Sequence, residues 1–372
     1  MIPNMPELPD LSEVPAMARS LLAQWDQPPA GPEDIGSPLL WTLFGAFVVI
    51  ALIIDFSAMK RQGAHKVSLA EAALWSFIWI AASMAFMVFL WWRMGGGSGD
   101  AALEAFAQHK ALEFLTGYLV EKALAVDNIF VFLMLFTYFA VPAEFQKRAL
   151  MIGILAALVL RGALILVGAW LINEFHWVLY VFGAFLVFTG FKMWAAAGKE
   201  ADLDSNPALN WVRKSFAISP TYDGEKFFTR VDRKTMATPL LVVVLLIGIV
   251  DVVFAVDSIP AIFAITTDPF IVLTSNVMAI LGLRAMYFLL AGVHERFHLL
   301  PYGLALVLVL IGAKMLLIDL YKIPIQWSLG ATAVILTFTV LLSLMIKPKS
   351  SKPHGAFPFN AKKDTPDDQA KT

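Results

Sequence analysis

Two near-copies of one polar pattern interrupt apolar runs 130 residues apart: Glu121-Lys-Ala-Leu-Ala-Val-Asp127-Asn128 and Asp251-Val-Val-Phe-Ala-Val-Asp257-Ser258. Each is an acid, five intervening residues, a second acid and a small polar residue. An acid inside a membrane-spanning helix costs roughly 2.5–3.5 kcal/mol on insertion scales, so intramembrane acids mark function before they mark anything else. Carboxylates, an amide oxygen and a hydroxyl form an all-oxygen donor set. Such a set suits Mn²⁺, Mg²⁺ or Ca²⁺ and fits poorly with Cu⁺ or Zn²⁺, which favour sulfur or imidazole. On a helix, residues seven apart share a face and residues six apart lie about 120° apart. Glu121 therefore aligns with Asn128, and Asp251 with Ser258, while Asp127 and Asp257 sit beside those stripes. Pro260 cannot bond the carbonyl of Val256, which predicts a local loosening of the second helix and a freed backbone oxygen.

The elements that must carry these groups are membrane helices. The chain has 372 residues, 59% of them apolar and only 15% charged, against about a quarter charged in soluble domains. Apolar runs long enough to cross a bilayer recur at 38–58, 70–93, 111–139, 147–172, 176–196, 239–264, 271–292, 299–320 and 326–347. The fold class expected is all-α: a polytopic helical membrane protein of about nine transmembrane helices. Residues 1–37 are acidic and rich in proline, 197–238 form a long polar loop, and 348–372 a polar tail. With no cysteine in the chain, disulfides, thiolate metal sites and thiol redox chemistry are excluded. The net charge of −1 offers nothing to nucleic acid.

Lysine and arginine gather on alternate connections, including Lys60, Arg61, Lys66, Lys147, Arg148 and the tail lysines. The opposite side carries only Arg19, Arg93, Lys110 and Lys322. The positive-inside rule then places the N-terminus outside and the C-terminus inside a plasma membrane.

The two acidic patterns belong to a larger repeat. Leu160-Arg161-Gly162 answers Leu283-Arg284-Ala285, and Gly190-Phe-Lys192-Met193 answers Gly312-Ala-Lys314-Met315. Residues 111–196 and 239–320 thus form two three-helix units, preceded by two peripheral helices over 38–93. Units with an odd number of spans have opposite orientation, the inverted arrangement of many secondary transporters, with the site at the repeat interface. Under that symmetry Asp127 and Asp257 should approach one another. Arg161, Arg284, Lys192 and Lys314 are candidate gates or counter-charges for the acids. A plainer reading has these pairs only tying helices together. Asp55, Glu113, Thr274 and Asn276 are weaker site candidates, with Glu113 expected to face water.

The chain resembles the TerC family of integral membrane proteins, including its Alx-like manganese exporters. The resemblance rests on Gly117 to Asn128, Asp251 to Ala264, Thr274 to Arg284 and the Gly224-Glu-Lys-Phe-Phe228 loop, and covers roughly residues 40–346. It implies a bacterial inner-membrane divalent-cation exporter with Mn²⁺ the favoured cargo, no permanently bound cofactor, and links to metal stress and tellurite resistance. It also implies that Asp127, Asn128, Asp257 and Ser258, with Glu121 and Asp251, form the metal site. The chain departs from many relatives at Gly248, where they carry an acid. Acids that release a metal can take up protons in its place, which makes protons the expected counter-ion. A second reading is a membrane helper that supplies metal to other proteins without flux of its own. An intramembrane metalloenzyme is disfavoured, since no His-Glu-x-x-His pattern is present.

Overall fold

A computed structural model describes residues 32, 34–62, 68–197, 207–231, 234–291, 297–320 and 323–346; the side chains of residues 58–62, Asp127, 207–208, Arg213 and Val231 lie outside that description. Most of the N-terminal segment 1–37 and all of the tail 348–372 fall beyond it as well. The described chain forms α1 (Pro38–Gln62), α2 (Leu69–Arg93), α3 (Ala101–Tyr138), α4 (Ala143–Glu174), α5 (Val178–Ala196), α6 (Pro207–Ser215), β1 (Phe228–Val231), β2 (Lys234–Ala237), α7 (Pro239–Phe263), α8 (Pro269–Leu281), α9 (Leu283–Ala291), α10 (Leu300–Leu316) and α11 (Ile325–Met345).

Side-chain caps set several of these starts. The Ser68 side chain accepts from the Glu71 amide at α2, and Asp100 accepts from the amides of Ala102 and Leu103 at α3. Asp268 does the same for Phe270 and Ile271 at α8. These contacts occupy amides that the first helical turn leaves without partners. Because α3 propagates from Asp100, it begins ten residues before the expected 111 and runs for 38 residues, about 57 Å at 1.5 Å per residue. That is well beyond a hydrocarbon core of about 30 Å.

All nine expected segments are helical, but they are not equal. Among the described residues, α1, α2, α4, α5, α7 and α11 are each long and apolar enough to cross a membrane, making six. A seventh arises if α8 and α9 count as one span, since they are bent by 42° at their junction. The expected continuous helix 271–292 is thus broken at Gly282, a residue that weakens a helix and admits a kink. Of the other two, α3 carries Glu113, Glu121, Lys122 and Asp127, and α10 has only 17 residues. The loosening expected at Pro260 is absent, and α7 stays helical to Phe263. Pro260 lies in the last turn, where only one backbone bond is forfeited.

The loop 197–238 holds more structure than its polar composition indicated. Helix α6 buries Leu209 and Val212 while Trp211 stays exposed, and β1 pairs antiparallel with β2 from Phe228↔Ala237 to Val231↔Lys234. The hairpin is moored to the helical bundle. Tyr222 donates its hydroxyl to the Phe139 carbonyl at 2.8 Å, and Arg148 pairs with Glu225 at 3.1 Å. Beneath it, Phe136 and Tyr287 meet edge to face at 5.5 Å within an apolar core of α3, α4, α7 and α9.

The tightest helix pair is α5 with α10. A Cβ on Gly312 would lie 2.7 Å from the Gly183 carbonyl, and one on Gly190 would lie 2.8 Å from the Ala305 carbonyl. The same glycines press on Val187 and Val309 respectively. Gly183 and Ala305, Val187 and Val309, and Gly190 and Gly312 are each 122 residues apart. These glycine contacts of the antiparallel pair therefore have mates with the partners exchanged, as about a local two-fold axis. Small residues give such closeness its packing energy inside a bilayer, where no hydrophobic force drives helices together.

Candidate functional site

Near the middle of α3 and α7 the polar faces converge. Glu121 and Asn128 lie on one face of α3, and Asp251 and Ser258 on one face of α7, as the seven-residue spacing requires. Arg161 of α4 stands between them. Its guanidinium binds Asp251 through two bonds, Nε to Oδ2 at 3.2 Å and Nη2 to Oδ1 at 3.0 Å. Nη1 donates to Ser258 Oγ at 3.2 Å and is ion-paired with Glu121 Oε1. With its amide turned to suit its neighbours, Asn128 accepts from Arg161 Nη2 at 3.2 Å and donates to the Leu124 carbonyl at 3.1 Å. All five side chains are buried, none more than 2% exposed.

A planar guanidinium with five donors can satisfy several oxygens at once, which a lysine ammonium could not do in this geometry. The balance still leaves something over. Two acids face one arginine, and Glu121 Oε2 is buried with no hydrogen-bond partner among the described residues. Orphaned buried oxygens of this kind call for an explanation.

The remaining predicted residues divide. Asp257 does not join the cluster; it is half-buried and turned toward Thr189 and Lys192 of α5, because a sixth residue falls off the Asp251 stripe. Asp127 lies in the helical backbone of α3, but its side chain, and with it the expected approach to Asp257, lies outside the described residues. Lys192 is itself exposed, and Lys314 lies in the field of Glu113 rather than beside Glu121 or Asp251. Arg284 is the main departure. It forms its ion pair with Asp55 of α1, so only one of the two repeat arginines is on the acids. The span that carries it bends by 42° at Gly282, just before Arg284.

Other groups sit deeper in the structure than their sequence context indicates. Glu113 is buried, not water-facing, and pairs with Lys110 at 3.2 Å and His109 at 3.3 Å. Lys110, one of the few charges on the outer connections, is buried and reaches Asp268 Oδ2 at 3.3 Å. Asp268 also accepts from the Ile35 amide at 3.1 Å, tying the segment before α1 to the head of α8. Burial raises the Asp268 carboxyl above its ordinary range, while Lys110 and the amides of Ile35 and Ile271 oppose the rise. Its sequence signal was an acid directly before Pro269, the pattern of a helix start. Thr274 is buried and bonds its own helix at Phe270. Asn276 is buried, with neither amide atom partnered among the described residues.

Among the described residues no three acids or histidines converge as a ready metal cage. The space between Glu121 and Asp251 belongs to Arg161. The arrangement gathers two carboxylates, an amide oxygen and a hydroxyl around one point, and a single guanidinium now occupies it.

A bundle of apolar helices with charges buried at its centre defines a polytopic integral membrane protein. The profile described as "Integral membrane protein TerC family" matches residues 106–351, and the chain belongs to that family. Relatives in Shigella flexneri and Escherichia coli K12, described provisionally as the membrane-bound redox modulator Alx, are 51% identical over 321 residues, covering 86% of this chain and 99% of theirs. An uncharacterized membrane protein of Myxococcus xanthus is 44% identical over 312 residues, 84% of this chain and 94% of its own. No solved structure matches.

Proposed function

We propose that this chain exports a divalent cation, with Mn²⁺ the leading cargo, across the bacterial inner membrane in exchange for protons. One observation carries the reading: an acid from each repeat meets on a single buried arginine, with a buried carboxylate oxygen left over. The donors around that point are oxygens from Glu121, Asp251, Ser258 and Asn128, the set that hard divalent cations favour. When Arg161 leaves, those oxygens need a replacement charge, and an incoming cation supplies it. When the cation leaves, the arginine returns or protons do. Outward orientation of the N-terminus follows from loop charge, and export from the family resemblance.

The relatives' description as redox modulators favours a second reading, a membrane helper that supplies metal to other proteins. With no cysteine in this chain, thiol exchange of its own is excluded, and an influence on redox state would pass through metal supply. Flux separates the two. In proteoliposomes with an imposed pH gradient, the export reading requires Mn²⁺ movement that Glu121→Gln and Asp251→Asn each abolish. Binding without flux would leave the helper reading standing, and flux untouched by either substitution would sink both.

A further inference from the structure

The repeats give each half an arginine at the same place, Leu160-Arg161 and Leu283-Arg284. The α5–α10 contacts are reciprocal, yet the two arginines have different partners. Arg161 is on Glu121 and Asp251, and Arg284 is on Asp55. Three features break the equivalence. Asp55 belongs to α1, outside both repeats. The span carrying Arg284 bends at Gly282, while α4 runs unbroken through Arg161. Lys122 has Val252 as its counterpart in the second acidic pattern.

These features are physically joined. Lys122 Nζ donates to the Ala279 carbonyl at 3.1 Å, in the last turn before the break. Carbonyls at a helix end lack partners within the helix, and a donor there stabilises the ending. A Cβ at position 282 would come within 2.7 Å of the same Nζ and 3.0 Å of Trp79 Cβ, so glycine makes room for the lysine. Past the bend, Arg284 meets Asp55, with Lys147 in the same field.

We infer that Lys122 and Asp55 are positioning residues that hold Arg284 away from the acid cluster, so that a single arginine guards it. The consequence is electrostatic and rests on the cation-transport reading. Two acids against one arginine attract a further positive charge; two acids against two arginines do not. Freed from either hold, the α8–α9 span straightens and Arg284 moves to the position equivalent to that of Arg161.

Two measurements test this. The cysteine-free chain allows spin labels at Leu289→Cys in α9 and Met345→Cys in α11 without background. Asp55→Asn and Lys122→Met should each add a new distance population absent from the otherwise unaltered chain. An unchanged distribution in both overturns the inference. In parallel, Mn²⁺ binding to the full chain in detergent should weaken at least tenfold in Asp55→Asn. The double variant Asp55→Asn/Arg284→Gln should recover the affinity of Arg284→Gln alone, since no second arginine remains to enter. A double variant as weak as Asp55→Asn would mean that Asp55 is a ligand or scaffold, and the inference fails. If the unaltered chain binds no Mn²⁺, the cation reading falls and the spin-label distances alone decide the hinge.

Discussion

Replacing Arg161 by methionine removes the only cation on Glu121 and Asp251 among the described residues while keeping much of the side chain's bulk. Both acids are buried, at 0% and 2% exposure, so neither can turn to water. Removing one partner of a buried ion pair costs about 3–5 kcal/mol, and here two acids lose their partner together. A divalent cation that binds the vacated oxygens stabilises by mass action, about 2.7 kcal/mol at a hundredfold excess over its Kd. Arg161→Met should therefore be markedly less stable in detergent, and Mn²⁺ should recover a large part of the deficit. The same ion should do less for the unaltered chain, where it must displace the guanidinium. Thermal unfolding followed by size-exclusion chromatography, in Mn²⁺, Mg²⁺, Ca²⁺ and choline at matched ionic strength, reads this directly. The triple variant Arg161→Met/Glu121→Gln/Asp251→Asn carries no stranded charge and should regain stability without responding to metal. If Arg161→Met is as stable as the unaltered chain, or if Mn²⁺ acts on both equally, the arginine is not standing where a cation goes.

Other perturbations have equally definite outcomes. Gly190→Leu forces a side chain into the Ala305 carbonyl and Val309 and should destabilise by about 1–3 kcal/mol or more; Gly45→Leu, which meets nothing within 4 Å, should leave thermal stability unchanged. Tyr222→Phe removes the bond to Phe139 and should loosen the hairpin by about 1 kcal/mol, seen as faster hydrogen exchange over residues 217–237. Burial raises the Tyr222 phenol, so the folded state keeps its proton where the unfolded chain loses one. Its contribution is complete below the ordinary tyrosine value of about 10 and declines as pH climbs from there toward the raised one. Gly248→Asp, where an added Cβ also meets nothing within 4 Å, should fold and raise divalent affinity, because position 248 is one turn from Asp251 on the same face of α7; an unchanged or weaker affinity would show that this acid is not a ligand.

Much of the site was legible because helical periodicity is a local property. The seven-residue spacing put Glu121 with Asn128 and Asp251 with Ser258 on shared faces, and the structure keeps those faces together on Arg161. The same arithmetic set Asp257 to one side, where it meets Thr189 and Lys192 instead. Periodicity could not say which arginine would fill the cluster. Arg161 and Arg284 occupy matching positions in matching helices, and their difference comes from a lysine in α3, an acid in α1 and a glycine between α8 and α9. Likewise Glu113 looked like a water-facing acid near a helix start; its burial depends on Lys110, His109 and the length by which α3 extends beyond its apolar stretch.

The sequence by itself determined the medium, the helices and the repeated order of charges, since composition, run length and spacing act within a segment and need no knowledge of its neighbours. Tertiary structure alone decided the partners. The cost of an unpaired charge in a low-dielectric interior is set by what lies within a few ångströms, and that depends on how helices far apart in the chain cross. The glycine contacts of α5 and α10 are reciprocal, whereas Lys122 caps α8 beside Gly282, just before the helix that carries Arg284.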